Sequence, residues 1–206
     1  MKPRLLDLFC GAGGAAMGYS RAGFEVTGVD IVFQPHYPFE FILSEAFDVA
    51  MWGKRYDAIH ASPPCQAYSN AQRIRNNEHP QYIQRVREQL QAIGLPYVIE
   101  NVPGAPLRNP IELCGRMFHL QIYRHRIFET SFAVEQPAHA KHIVKNAKMG
   151  RRPKDDEYMH VVGNFSDVAR ARGAMGTPWM TSDEMKEAIP PAYTEHIGLA
   201  LLEALR

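Results

Sequence analysis

Short apolar runs alternate with segments of helical period along the first half of the chain. Residues 4–9 form one such run, and the small-residue stretch 14–21 behind it has the character of a helix start. Residues 25–29 repeat the strand pattern and end at Asp30. Residues 39–43 and 58–61 are further strand candidates, and the amphipathic spacing over 81–93 predicts a helix leading into the apolar run 97–102. This rhythm predicts an α/β protein with a doubly wound, mostly parallel sheet.

The second half is less regular. Pro103, Gly104, Pro106, Pro110 and Gly115 mark 103–115 as a loop-rich passage, and 119–132 reads as strand or hairpin. Residues 136–160 carry many charges and little periodicity, which predicts a surface excursion suited to substrate contact. Thr181-Ser-Asp-Glu184 is a capping-box pattern opening a short helix, and Pro190-Pro191 stops it and starts a last helix running through Leu205.

A length of 206 residues suits a single compact domain whose core needs no staples. No apolar run reaches the roughly 18 residues of a membrane span, so no membrane partner is expected. The apolar run behind Met1 is interrupted too early by Asp7 and glycines for a secretory signal, which predicts an intracellular, cytoplasmic protein. Cys10, Cys65 and Cys114 are odd in number and widely spaced, against a disulfide framework. The spacing of Cys114, His119, His125, His139 and His142 fits no standard zinc pattern, and no metal site is expected. The net charge of +1 hides an asymmetry: residues 1–60 hold 5 basic against 7 acidic side chains, whereas 108–154 hold 10 against 3. Nucleic acid is a plausible partner for the basic stretch, and a solvated basic face is the bland alternative.

Four local features carry candidate chemistry. Phe9-Cys-Gly-Ala-Gly-Gly14 follows a strand and precedes a helix, with Asp30 nineteen residues after Gly11. It fits a dinucleotide site, an S-adenosylmethionine site or simple tight packing. Ala61-Ser-Pro-Pro-Cys-Gln66 puts Cys65 just past a strand end, behind two prolines that fix the backbone, which favours a nucleophile over a buried small hydrophobe. Glu100, at the end of the apolar run 98–102, is either a loop-closing group or a proton donor with a raised pKa. Strand alternation over 123–127 puts Arg124 and Arg126 on one side, as structural ion pairs or as a clamp on phosphate and base.

The ordered set of these motifs, Asp7-Leu-Phe-Cys-Gly-Ala-Gly-Gly14, Pro63-Pro-Cys-Gln66, Glu100-Asn-Val102 and Arg124-His-Arg126, resembles the DNA (cytosine-5)-methyltransferase family. The similarity is good over residues 3–128 and weaker over 160–206, and it is to unusually compact members of the sort that viruses of bacteria carry. It implies a Rossmann-like S-adenosylmethionine-dependent methyltransferase fold over 1–206. Residues 133–160 would then be a short basic insert in place of a full target recognition domain, and 164–206 would be helices completing the cofactor domain. By resemblance Cys65 is the nucleophile that attacks cytosine C6, Glu100 protonates N3, Arg126 grips the base carbonyl and a phosphate, and Arg124 supports the site. Nearby positive charge would lower the thiol pKa.

The cofactor implied is S-adenosyl-L-methionine, with Phe9, Gly11 and Gly13 at its methionine end, Asp30 on the ribose, Ile31 on the adenine face, Glu45 (or, three residues on, Asp48) at the adenine amino group and Pro64 in contact. The partner implied is double-stranded DNA with the target cytosine flipped out. Gln66, Ser69, Arg73 and Arg75 resemble the loop that closes over the base, Asn101 orients the pocket, and Lys141, Lys145, Arg151 and Arg152 are the candidate DNA contacts of the insert. Ile122 stands where relatives have Gln, and Lys186-Glu187 where they have Gly-Asn. The shortness of the insert implies modest specificity or help from a second subunit. A tRNA cytosine-5 methyltransferase and an inactive nucleic-acid-binding relative are the alternatives.

Overall fold

A computed structural model describes residues 1–51, 55–65 and 82–206. Seven strands form one sheet: β1 (Arg4–Leu8), β2 (Glu25–Asp30), β3 (Glu40–Leu43), β4 (Ala58–Ala61), β5 (Tyr97–Asn101), β6 (Ile111–Leu113) and β7 (Arg126–Thr130). Their order is β3-β2-β1-β4-β5-β7-β6. The first five run parallel, while β7 pairs antiparallel with both β5 and β6. The helices are α1 (Gly14–Ala22), α2 (Tyr82–Ile93), α3 (Val168–Met175), α4 (Ser182–Glu187) and α5 (Pro191–Ala204), with 3-10 turns at Ala46–Met51 and Gly115–Phe118.

Side-chain alternation along β1 divides the core between the two faces of the sheet. Leu5 joins Tyr19, Val98, Phe128, Tyr193 and Ile197 under α1 and α5. Leu6 and Leu8 join Ile59, Val86, Leu90 and Ile99 under α2. A third apolar cluster ties Ile122, Met159 and Val161 to Met175, Met180 and Met185, so the end of the irregular segment is anchored on the C-terminal helices. Ile122 is buried in that cluster, and an amide in its place would need partners that this apolar setting lacks.

The predicted strands and helices of the first 102 residues stand within a residue or two of the observed ones. Thr181 and Glu184 close the expected capping box, with Thr181 N–H donating to Glu184 Oε2 at 2.7 Å. Pro191 opens the last helix. Three elements differ from expectation. The loop-rich passage contains β6, a short run that is strand only because β7 pairs with it. The candidate strand over 119–132 is confined to Arg126–Thr130. Arg124 lies outside it with φ +34°, so its position relative to Arg126 comes from a turn and not from strand alternation. Among the described residues no helix is long and apolar enough to cross a membrane.

A buried ion pair locks α2 to the antiparallel edge. Arg87 Nε and Nη2 donate to the two oxygens of Glu129 at 2.8 and 2.7 Å, and the Arg108 N–H adds a third bond at 2.7 Å. These donors hold the Glu129 carboxyl below the usual range although burial opposes them. Arg87→Met strands that carboxylate and should cost about 3 kcal/mol in urea unfolding, whereas replacing both partners by apolar residues should recover most of the loss. A single-variant loss within error of zero would mean the carboxylate finds water.

Candidate active site

The glycine loop joins β1 to α1 at the carboxyl edge of the sheet, where open α/β folds bind ligands. Phe9 and Gly11 both have positive φ (57° and 48°), and a Cβ built on Gly11 would meet nothing within 4 Å, so a ligand has free approach to the backbone there. Gly14 is glycine for a different reason: a side chain would collide with the Ile189 carbonyl ahead of α5. Trp179 Nε1 donates to the Ala12 carbonyl at 2.8 Å and Thr194 Oγ1 to the Ala15 carbonyl at 2.9 Å, so the C-terminal segment closes the back of the loop.

At the end of β2 the Asp30 carboxylate accepts the Gly11 N–H at 3.1 Å and the Val32 N–H at 3.0 Å, which orients it beside the loop. Ile31, Val32 and Phe33 follow it with 61%, 59% and 66% exposure, an apolar ledge of the kind a planar heterocycle covers. A carboxylate held for hydroxyl groups, an open glycine and an apolar ledge together fit an adenosine-containing cofactor. Glu45 is exposed beyond β3, and Pro64 is half-buried next to Cys65.

Cys10 and Cys114 are buried, whereas Cys65 is half-buried beyond β4 on a cleft of about 380 Å³ whose walls include Arg124, Arg126, Asn146, Val161 and Lys186. Asn101 Nδ2 donates to the Pro63 carbonyl at 2.9 Å and Asn101 Oδ1 accepts the Val102 N–H at 3.0 Å. This fully buried amide is a positioning residue for the segment that carries the thiol. Burial raises the Cys65 thiol pKa; Arg126 pulls against it, and Glu100 and Glu187 push with it. The expected lowering by positive charge is therefore present in sign but outweighed by desolvation in the free protein.

Glu100 at the end of β5 lies 2.8 Å from Arg126 Nε, yet its Oε1 is buried without an aligned hydrogen bond. Burial raises its pKa, against Arg126, Arg124 and Ser62. Behind it Tyr19 Oη, His60 and Ser62 Oγ form a chain with contacts of 2.9 and 2.8 Å, and burial drives the His60 pKa down to about 3, so that ring is neutral. This network joins α1 to the end of β4 just before the proline pair and has no signal in the sequence beyond polar residues in an apolar run.

Arg124 spends three of its donors on carbonyls: Ala188 at 2.8 Å, Val161 at 2.8 Å and Lys186 at 2.6 Å. Lys186-Glu187 thus contributes backbone to the site while the Lys186 ammonium pairs with Asp183. The fold brings together Cys65, Glu100, Asn101, Arg124 and Arg126. Lys141 and Lys145 are exposed on the insert, Arg151 pairs with Glu157 at 2.5 Å, and Arg152 with Asp167 at 3.2 Å. Gln66, Ser69, Arg73 and Arg75 lie outside the described residues.

No family model matches the chain. It is 24% identical over 230 residues to the Type II methyltransferase M.AquIA of Picosynechococcus sp., spanning 93% of this chain and 91% of that protein. Solved structures share the fold across its whole length. A protein encoded within an E. coli prophage and described as a DNA modification methyltransferase superposes with a TM-score of 0.67 at 15% identity, over 98% of this chain and 99% of that one. The Entamoeba histolytica methyltransferase EhMeth gives 0.66 at 11%, over 100% and 99%. The S. pombe Dnmt2 methyltransferase gives 0.61 at 13%, over all of both chains. The architecture is therefore the Rossmann-like fold of S-adenosyl-L-methionine-dependent methyltransferases.

Asp7, on β1 beneath the glycine loop, is fully buried, and neither carboxyl oxygen has an aligned partner. Burial and the nearby Asp30 push its pKa well up. Above the unfolded value of about 3.9 the unfolded chain releases a proton that the folded one keeps, so this group lowers stability as pH rises towards its folded pKa. Asp7→Asn should remove that loss: its stability relative to the native chain, from urea melts at pH 4 to 8, should improve with pH. A difference that does not change with pH would show that Asp7 ionises in place.

Proposed function

We propose that this chain is an S-adenosylmethionine-dependent DNA (cytosine-5)-methyltransferase that works through a covalent bond between Cys65 Sγ and C6 of a cytosine flipped out of duplex DNA. The observation that carries this reading is the convergence of a half-buried thiol, a buried carboxyl of raised pKa and an arginine beside a glycine loop open to a cofactor. The Type II methyltransferase of Picosynechococcus sp., similar over nearly its whole length, supports it.

Phe9, Gly11, Gly13, Asp30 and Ile31 hold the cofactor, with Glu45 and Pro64 at its margins. Bound S-adenosylmethionine supplies an electrophilic methyl group. Cytosine C5 is too electron-poor to take it unaided, so Cys65 as thiolate adds to C6, the C5–C6 π electrons move into the ring, and Glu100 gives its proton to N3. C5 is then an enamine carbon and takes the methyl group. Loss of the C5 proton to a base through water, departure of Cys65 from C6 and return of the N3 proton to Glu100 restore the aromatic ring.

The raised pKa of Glu100 fits this order of events. A neutral Glu100 can donate at N3, and it also removes the negative charge that hinders Cys65 ionisation. Arg126 then faces both the thiolate and the base, while Arg124 holds the cleft wall through its three carbonyls. Lys141 and Lys145 offer phosphate contacts from the insert, which the Arg151–Glu157 pair braces internally and the Arg152–Asp167 pair ties to the start of α3. An insert this small reads a short or relaxed target sequence.

Purified chain incubated with duplex DNA and S-adenosylmethionine should form 5-methylcytosine, and tRNA offered in competition should remain unmodified. Cys65→Ser should abolish turnover with the fold retained, and DNA carrying 5-fluorocytosine should trap a covalent adduct on the native chain. Glu100→Gln should lower kcat by about 10²- to 10⁴-fold, the usual worth of a positioned acid. An active Cys65→Ser variant, or methyl groups on the exocyclic nitrogen, would overturn the mechanism.

A further inference from the structure

Next to the cleft, which His125 lines, four side chains that the methyl-transfer chemistry does not use point at one another. Cys114, His125, His139 and His142 each offer one donor atom, and all these atoms lie within 4.8 Å of one another. Cys114 Sγ is 3.4 Å from His142 Nε2, which is itself 2.9 Å from His139 Nε2. A tetrahedral zinc ion with ordinary bond lengths would set its nitrogen donors about 3.3 Å apart and sulfur about 3.6 Å from nitrogen. Hydrogen bonding alone serves this group poorly. An imidazole nitrogen carries either one proton or one lone pair, so His142 Nε2 cannot bond separately to both neighbours.

We propose that these four residues bind a structural zinc ion. A thiolate and three imidazoles form a borderline-soft donor set suited to Zn²⁺, and four protein ligands leave no open position for catalysis. Binding breaks the Cys114 S–H bond and releases its proton to solvent. The Glu112 carboxylate, 3.9 Å from His125 Nε2, balances the remaining positive charge.

The ligands come from three places in the chain, which is why their spacing matches no pattern and why the sequence led to an expectation of no metal site. The antiparallel register Leu113↔Arg126 places Cys114 opposite His125 across the β6–β7 pair. His139 and His142 come from the insert. Tyr123 stacks on His142 at 3.7 Å and 17°, and its hydroxyl donates to the Val144 carbonyl at 2.6 Å, so the insert arrives with His142 already oriented. Between β7 and α3 the chain has no regular element, only isolated bridges at Asn146↔Tyr158 and Ile122↔Met159. The ion supplies the fixing that a hydrophobic core cannot supply there, and it holds the insert against the strand that carries Arg126.

The test uses the full chain purified without chelator. Elemental analysis should find about one zinc per chain, the stoichiometry of a closed four-ligand site. Cys65→Ser should keep the zinc, so the result is independent of methyl transfer. Cys114→Ser should lose it, and because that buried change can disturb folding, the exposed pair His139→Asn with His142→Asn is the second probe and should lose it as well. Cobalt(II) reconstitution should give tetrahedral visible bands and a thiolate charge-transfer band that Cys114→Ser lacks. Chain free of zinc after expression in zinc-supplemented medium, or full zinc in the double histidine variant, would overturn the proposal.

Discussion

Three carbonyl groups from different parts of the chain meet on the guanidinium of Arg124: Val161 from the end of the insert, and Lys186 and Ala188 from the segment ahead of the last helix. Arginine suits the position because its planar fork carries donors in fixed directions and stays charged when desolvated. Burial and the neighbouring Arg126 press its pKa down to about 9, with Tyr193, Glu100 and Cys65 pulling the other way. Tyr193 supports the arrangement by donating to the Tyr123 and Arg124 carbonyls. The C-terminal segment held by Arg124 packs in turn on Gly14 of the glycine loop. One side chain thus couples the insert, the cleft wall and the glycine loop at the carboxyl edge of the sheet.

Desolvation sets the resting state of the site. Glu100 and Cys65 both favour their neutral forms, and Arg126 opposes this for each. In the free protein burial therefore biases both the carboxyl and the thiol towards their protonated forms, the resting state that the proposed mechanism calls for. Neutral His60 extends the same logic behind the site, where a charged ring would favour the ionised form of Glu100. The proposed zinc adds rigidity where the insert meets β6 and β7. A chain this short has little hydrophobic area to spend on its insert, and metal ligands order a segment with few residues.

Much of the site was legible in the sequence because its residues sit at fixed places relative to strand ends. Cys65 follows β4, Glu100 and Asn101 end β5, and Asp30 ends β2, so the strand pattern alone gathers them on one edge. Arg124 was harder: its alignment with Arg126 was expected from strand alternation, but a positive-φ turn places it, and its partners lie about 40 to 60 residues further on. The Tyr19–His60–Ser62 chain was equally hidden, since a polar residue in an apolar run does not announce which neighbour it will meet.

The sequence by itself determined the parallel half of the sheet, the capped C-terminal helices and the set of reactive groups at the carboxyl edge. These follow from apolar periodicity, from local turn and cap chemistry, and from residue types that are expensive to place at random. Only the tertiary structure decided that Ile111–Leu113 is a strand, that Arg124 braces the cleft, and that Cys114 faces three histidines. The physical reason is the same in each case. These features depend on the register of an antiparallel pair and on contacts between segments far apart in the chain, and neither leaves a period or a spacing for a linear reading to find.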